Sequence, residues 1–174
     1  MKRERTITWA DPQAVAATAR QMSGLEYLQA IQRQQLPAPP IASLMGYDLV
    51  EVSPGRVVFV VSPHECHYNP LGVVHGGLLA TVMDSAMACA IHTMLPRGEG
   101  STTLELHVNY VRAVTIQTGP LRCEGEVIYR GGRIATAQAR VFDQSGLLYA
   151  HGTTTCLIFR LSQDSGTPNQ QANS

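Results

Sequence analysis

The stretch from Val73 to Leu95, VVHGGLLATVMDSAMACAIHTML, constrains this chain more than any other. It is the most apolar run in the sequence, yet it contains His75, Asp84 and His92. Ionisable side chains at the middle and near both ends argue against a membrane span. Pro96-Arg97-Gly98 follows, and the pattern predicts one helix over 76–94. Such a helix is apolar nearly all round and rich in small residues, so it must be buried on most of its sides.

The flanking sequence predicts what buries it. Tyr47 to Val52 and Arg56 to Ser62 are β-rich runs joined at Ser53-Pro54-Gly55, a hairpin signal. After the helix, Leu104, Leu106, Val108 and Tyr110 alternate with Glu105, His107 and Asn109, the period of a strand with one buried face. Further strands are predicted at 121–129, 134–142 and 147–159, with turns at Gly131-Gly132 and at Asp143-Gln144-Ser145-Gly146. Two strands, one helix and four strands predict an antiparallel sheet curled around that helix, an α+β class.

Upstream, residues 1–8 read as a loose end. Asp11-Pro12 opens a helical pattern running to Met22, and Leu25, Leu28, Ile31, Gln32 and Leu36 keep a helical spacing that predicts a second helix over 25–35. Pro37-Ala38-Pro39-Pro40 ends it. The expected organisation is thus a helical extension over 1–40, a main domain over 41–161, and a polar tail over 162–174 whose Gly and Pro predict disorder.

Charged residues make up 15% of the chain, against about a quarter in ordinary soluble domains, which suits a protein that hides surface in a subunit interface. Thirteen basic residues balance thirteen acidic ones without a basic cluster, which argues against nucleic acid as a partner. Cys66, Cys89, Cys123 and Cys156 lie far apart, with no C-x-x-C pair. The expectation is buried free thiols in a reducing cytoplasm. The N-terminal MKRERTITWADPQ carries charge with no apolar core after it, unlike a signal peptide.

The residues with chemistry gather around the predicted helix start: Asn69-Pro70-Leu71-Gly72-Val73-Val74-His75-Gly76-Gly77, with Asp84 seven positions beyond Gly77. Glycines there let a ligand approach bare N–H groups whose dipoles favour negative charge, as on a thioester carbonyl under attack. Equally, Gly76 and Gly77 could serve only the close packing of a buried helix. Asp84 is the only acidic residue between Glu65 and Glu99. A carboxylate inside an apolar helix is costly unless it is paired, hydrogen-bonded or in use, so a structural and a functional role both stand. His64-Glu65-Cys66-His67 has metal-ligand composition, but four adjacent residues cannot close a tetrahedral site unaided, and no second cluster exists. A cysteine nucleophile lacks an identifiable base, and His92 and His107 read as ordinary core or surface residues.

The run N-x-x-G-x-x-H-G-G followed by an aspartate resembles the PaaI-type branch of hotdog-fold thioesterases, with the likeness spanning about residues 46–159. The resemblance implies that Asn69 orients the thioester and the attacking water. It implies that Gly76 donates its N–H to the thioester oxygen, that His75 supports the loop, and that Asp84 is the base or nucleophile. Gly72 and Gly77, the other motif glycines, are implied to contact substrate. Some relatives add a hydroxyl near the start of the next strand; of Ser101-Thr102-Thr103, Thr103 matches best. The implied activity is hydrolysis of an acyl- or aryl-CoA in a homodimer or dimer-of-dimers, with no metal or redox cofactor because water and a carboxylate suffice. A non-catalytic acyl-CoA binding or sensing module is the alternative, since one fold can bind without cutting.

Overall fold

The computed structural model describes residues 2–161; the tail over 162–174 lies outside the described residues. Three short helices come first: α1 (Pro12–Ala19), α2 (Gly24–Gln32) and α3 (Pro40–Met45). Strands β1 (Tyr47–Ser53) and β2 (Arg56–Val61) follow, then α4 (Gly76–His92), then β3 (Glu99–Tyr110), β4 (Leu121–Arg130), β5 (Ile134–Phe142) and β6 (Leu148–Arg160). The six strands form one sheet in the order β1-β2-β4-β5-β6-β3, antiparallel throughout. This sheet wrapped on α4 is the curled antiparallel sheet that the element order predicts and the hotdog fold that the resemblance implies. Among the described residues no helix is long and apolar enough to cross a membrane.

The alternation of each strand puts one set of side chains against α4. Val57, Phe59 and Val61 of β2, Leu121 and Cys123 of β4, Ala135, Ala137, Ala139 and Val141 of β5, and Ala150 and Cys156 of β6 are all buried. Towards them α4 turns Leu78, Leu79, Val82, Met83, Ala86, Met87, Ala90 and Ile91, a helical-period set of buried residues. Small residues on the facing strands let the helix lie close. A Cβ at Gly125 of β4 would come within 2.4 Å of the Ala86 carbonyl group, so only glycine admits the helix backbone there. The opposite sheet face carries charge: Arg56 and Arg122 both reach Glu51 at 2.8 Å, and Arg122 reaches Glu124 at 2.6 Å.

Several elements differ from expectation. In β3 the register slips between Thr103 and Glu105, a bulge that turns Leu104 outward, where it is 57% exposed. Tyr110 is 53% exposed as well, because β3 is an edge strand with no neighbour on its outer side in one chain. Residues 2–8 are tied down: Arg5 donates to the Ser43 carbonyl at 3.3 Å and to Cys66 Sγ at 3.2 Å, and Arg3 pairs with Glu65. Cys66 is exposed and Cys89 half-buried, against the expectation of four buried thiols; all four cysteines are free. Helix α3 follows directly on the proline cluster expected only to end α2, with Pro40 in its first turn, where a missing N–H does no harm.

The helix-on-sheet contact makes a direct prediction. Gly125→Val forces an isopropyl group into the Ala86 backbone, and overpacking of this kind costs ~1–3 kcal/mol. Urea denaturation should show a midpoint lowered accordingly, and a variant as stable as the wild type would mean that α4 can move off the sheet freely.

Candidate active site

The segment before α4 is a tight loop organised by Asn69. Its side-chain Oδ1 accepts from the N–H of Leu71 at 2.9 Å and of Val73 at 3.4 Å, and its own N–H donates to the Val73 carbonyl at 2.8 Å. Gly72 supplies the left-handed turn at φ +77°. The Val74 N–H donates to the Val114 carbonyl at 2.8 Å and the His75 N–H to the His67 carbonyl at 2.8 Å, which pins the loop to its neighbours.

His75 is the N-cap of α4. Its Nδ1 accepts from the Gly77 N–H at 2.8 Å, so the ring proton sits on Nε2. The Gly77 N–H is therefore occupied, while the Gly76 N–H has no partner among the described residues. Gly76 is also crowded: a Cβ there would lie 2.9 Å from the Tyr110 ring, whose hydroxyl donates to the Gly76 carbonyl at 3.0 Å. Gly76 and Gly77 thus satisfy tight packing, and Gly76 in addition keeps a free donor. Gly76 opens into a shallow groove shared with Val74, Tyr110 and Arg112.

Asp84 lies about two turns further along α4 and lines a different hollow. Asp84, Ser85, Ala88 and Cys89 face away from the sheet centre and line a cavity of about 640 Å³ under α2 and β1. Thr103 Oγ1 donates to Asp84 Oδ1 at 2.8 Å. The bulge in β3 falls directly after Thr103, and bulges commonly re-aim a side chain beside a site. Oδ2 of Asp84 has no partner among the described residues, so half of the carboxylate is held and half is available. Deeper in the wall, Tyr47 and Ser85 share a hydrogen bond at 2.9 Å, and burial pushes the Tyr47 hydroxyl above its usual pKa. Burial, with a smaller contribution from the Asp84 charge, pushes the Cys89 thiol up to about 12.

The structure brings Asp84 to Thr103 and gathers Asn69, Gly72, His75, Gly76 and Gly77 at the helix start. It does not bring the two groups together within one chain, since Gly76 and Asp84 open into different hollows. Tyr110, Tyr47 and Ser85 belong to these surroundings without having been singled out for the site by sequence, and Cys89, weighed there only as a weak nucleophile candidate, joins them. Of these only Ser85, next to Asp84, carried a local signal. His64 and Cys66 meet at 3.2 Å, yet no group of three His, Cys, Asp or Glu is placed to hold a metal among the described residues. His92 packs edge-on against Tyr27, and burial lowers its pKa; His107 is exposed and pairs with Glu105 at 2.5 Å.

Comparison with known proteins places the chain in a family. The thioesterase superfamily model matches residues 71–150. A solved structure from the thioesterase superfamily is 32% identical, covers 79% of this chain and 98% of its own, and superposes with a TM-score of 0.63. The phenylacetic acid degradation-related protein of Ralstonia eutropha is 26% identical, covers 75% of this chain and 98% of its own, and gives a TM-score of 0.68. Acyl-coenzyme A thioesterase 13 of Mus musculus is 27% identical over 108 residues, which are 62% of this chain and 76% of that protein. The class is therefore a hotdog-fold thioester hydrolase. Within that class, the chain belongs to the thioesterase superfamily.

The cysteine environments predict a clear order of reactivity. With its pKa raised to about 12, Cys89 holds almost no thiolate at pH 8, and burial likewise raises Cys123. Iodoacetamide on the folded protein at that pH should alkylate exposed Cys66, leaving Cys89 and Cys123 protected until denaturant is added. Peptide mass mapping reads the result, and rapid labelling of Cys89 in the native protein would contradict the buried setting described here.

Proposed function

We propose that this protein hydrolyses acyl-CoA thioesters to a carboxylic acid and free CoA, in active sites shared between two subunits. The observation that carries the reading is Asp84: a carboxylate on an apolar helix, held through Oδ1 by Thr103, that itself lines the cavity under α2 and β1. Held this way, Oδ2 takes a proton from water as the water oxygen adds to the thioester carbon. The Gly76 N–H of the other subunit donates to the oxygen that becomes negative. The carbon–sulfur bond then breaks, and the departing CoA thiolate takes the proton from Asp84. In the alternative route Asp84 attacks directly, giving an anhydride that water cleaves. Label found in Asp84 after a single turnover in heavy-oxygen water identifies direct attack, because water that opens the anhydride at the Asp84 carboxyl carbon leaves its oxygen there. Asn69 orients the reacting groups, His75 fixes the loop, and Thr103 positions the carboxylate.

Sharing follows from distance. Gly76 and Asp84 are eight positions apart on one straight helix, roughly 12 Å at a rise of ~1.5 Å per residue. A base must lie within about 3 Å of its proton, or one water away. Two antiparallel α4 helices across a twofold axis set the start of one beside the middle of the other. Strand β3 supports such pairing: a 12-residue edge with Leu104 and Tyr110 exposed, and Val111 exposed just beyond it, is the kind of edge that soluble proteins cover. A dimer, or a dimer of dimers, covers it.

Asp84→Ala should lower kcat by at least ~10²-fold without loss of the folded oligomer, as expected for a positioned base or nucleophile. Thr103→Ala should cost about tenfold or less, because it loosens the carboxylate without removing it. Free-thiol release from an acyl-CoA panel measures both. A pure binding module would show no turnover in the wild type and no need for the Asp84 carboxylate.

Complementation checks the shared site. Asp84→Ala and Asn69→Ala, each inactive alone, are mixed, dissociated and allowed to reassort. A heterodimer has one site with both lesions and one with neither, so activity should return. If heterodimers form and the sample stays inactive, the site lies within one chain.

A further inference from the structure

The cavity at Asp84 has an unusual wall. One side is α4 and β1, but the other is the N-terminal segment, which contributes Tyr27, Ile31, Leu36 and Ile41. This segment is anchored at several points. The Gly24 N–H donates to the Leu95 carbonyl at 3.0 Å, and Gln32 Nε2 donates to the Val50 carbonyl at 2.8 Å. A Cβ at Gly24 would overlap the His92 carbonyl, so α2 starts in direct contact with the end of α4. The wall is therefore a fixed part of the fold, although it lies outside the residues matched to the superfamily.

Its chemistry is selective. Among the described residues no lysine or arginine lines the cavity, while two carboxylates, Asp48 and Asp84, border it. Nothing in it can neutralise a negatively charged guest, and both carboxylates repel one. The phosphates of CoA belong elsewhere; Arg112 borders the separate groove at Gly76. What suits the Asp84 cavity is an uncharged apolar group whose reactive end meets Asp84. At about 640 Å³ it falls in the size range of small-molecule sites, with room beyond an acetyl group.

We propose that this cavity holds the neutral acyl or aryl group of the substrate, and that Ile31 and Leu36 of the N-terminal segment set the size of group accepted. The assignment rests on the hydrolase reading of Asp84 given above. Ile31 is half-buried and packs against the core edge, so it can be changed in size without opening the sheet.

The experiment compares wild type, Ile31→Trp and Ile31→Ala on acetyl-, hexanoyl-, decanoyl-, phenylacetyl- and glutaryl-CoA. Turnover is read by free thiol and binding by calorimetry on the Asp84→Ala background. Wild type should favour hexanoyl-, decanoyl- or phenylacetyl-CoA over both acetyl- and glutaryl-CoA. Ile31→Trp should lower the decanoyl-to-acetyl ratio of kcat/KM by about tenfold or more, since even one methylene in an apolar pocket is worth about that much. Ile31→Ala should raise the ratio. Thermal melts confirm folding, and if the tryptophan variant is unstable the alanine variant decides alone. Unchanged ratios in folded variants, or a wild type that prefers glutaryl-CoA, overturn the proposal. Binding ratios that shift as stated without any turnover keep the pocket and overturn the hydrolase reading instead.

Discussion

Everything in this molecule is arranged around the burial of one apolar helix. Helix α4 presents Val82, Met83, Ala86 and Met87 to the sheet with no exposed surface on any of them. A helix so apolar can be stable in water only if other elements cover it, and one sheet can do this only by curling. The close approach depends on small residues in the facing strands: Gly125 against the Ala86 carbonyl, and alanines at 135, 137 and 139. Larger side chains at these points would hold the helix off the sheet and leave voids along its length.

That same burial gives Asp84 its meaning. A carboxylate on an apolar helix needs a polar partner, and Thr103 supplies one through its hydroxyl. Asp84 shares the lining of its cavity with Tyr47, Ser85 and Cys89. Polar groups kept in this state at an internal cavity are the usual material of active sites. At the start of the helix the loop from Asn69 to His75 is held by the Asn69 side chain and by backbone bonds to Val114 and His67, which fixes the backbone leading to the Gly76 N–H. On the proposed mechanism this is preorganisation: the donor need not be moved into position at the moment of reaction.

Much of the fold was legible in the residues. The 2- and 3.6-residue periods, the hairpin at Ser53-Pro54-Gly55 and the prolines at 96 and at 37–40 marked nearly every element, because each signal is local. The mistaken details had non-local causes. Leu104 fits a regular strand by its alternation and is turned out by a bulge, which depends on pairing with β6. Arg5 reads as part of a loose end and is held by Ser43 and Cys66, residues far away in the chain. The Cys66 thiol reads as buried like the other three, and its exposure is decided by the surface turn it occupies.

The sequence by itself determined the class of fold, the start of α4 at a glycine pair, and the presence of one acidic residue within an apolar helix. These follow from side-chain polarity and backbone preference, which belong to each residue before folding. Only the tertiary structure decided that Thr103 reaches Asp84, that Tyr110 packs over Gly76, and that α2 closes a cavity with Asp84 at its edge. Each of these joins segments distant in sequence through strand register and helix docking. Such contacts arise because the chain as a whole buries α4, and no local pattern encodes them.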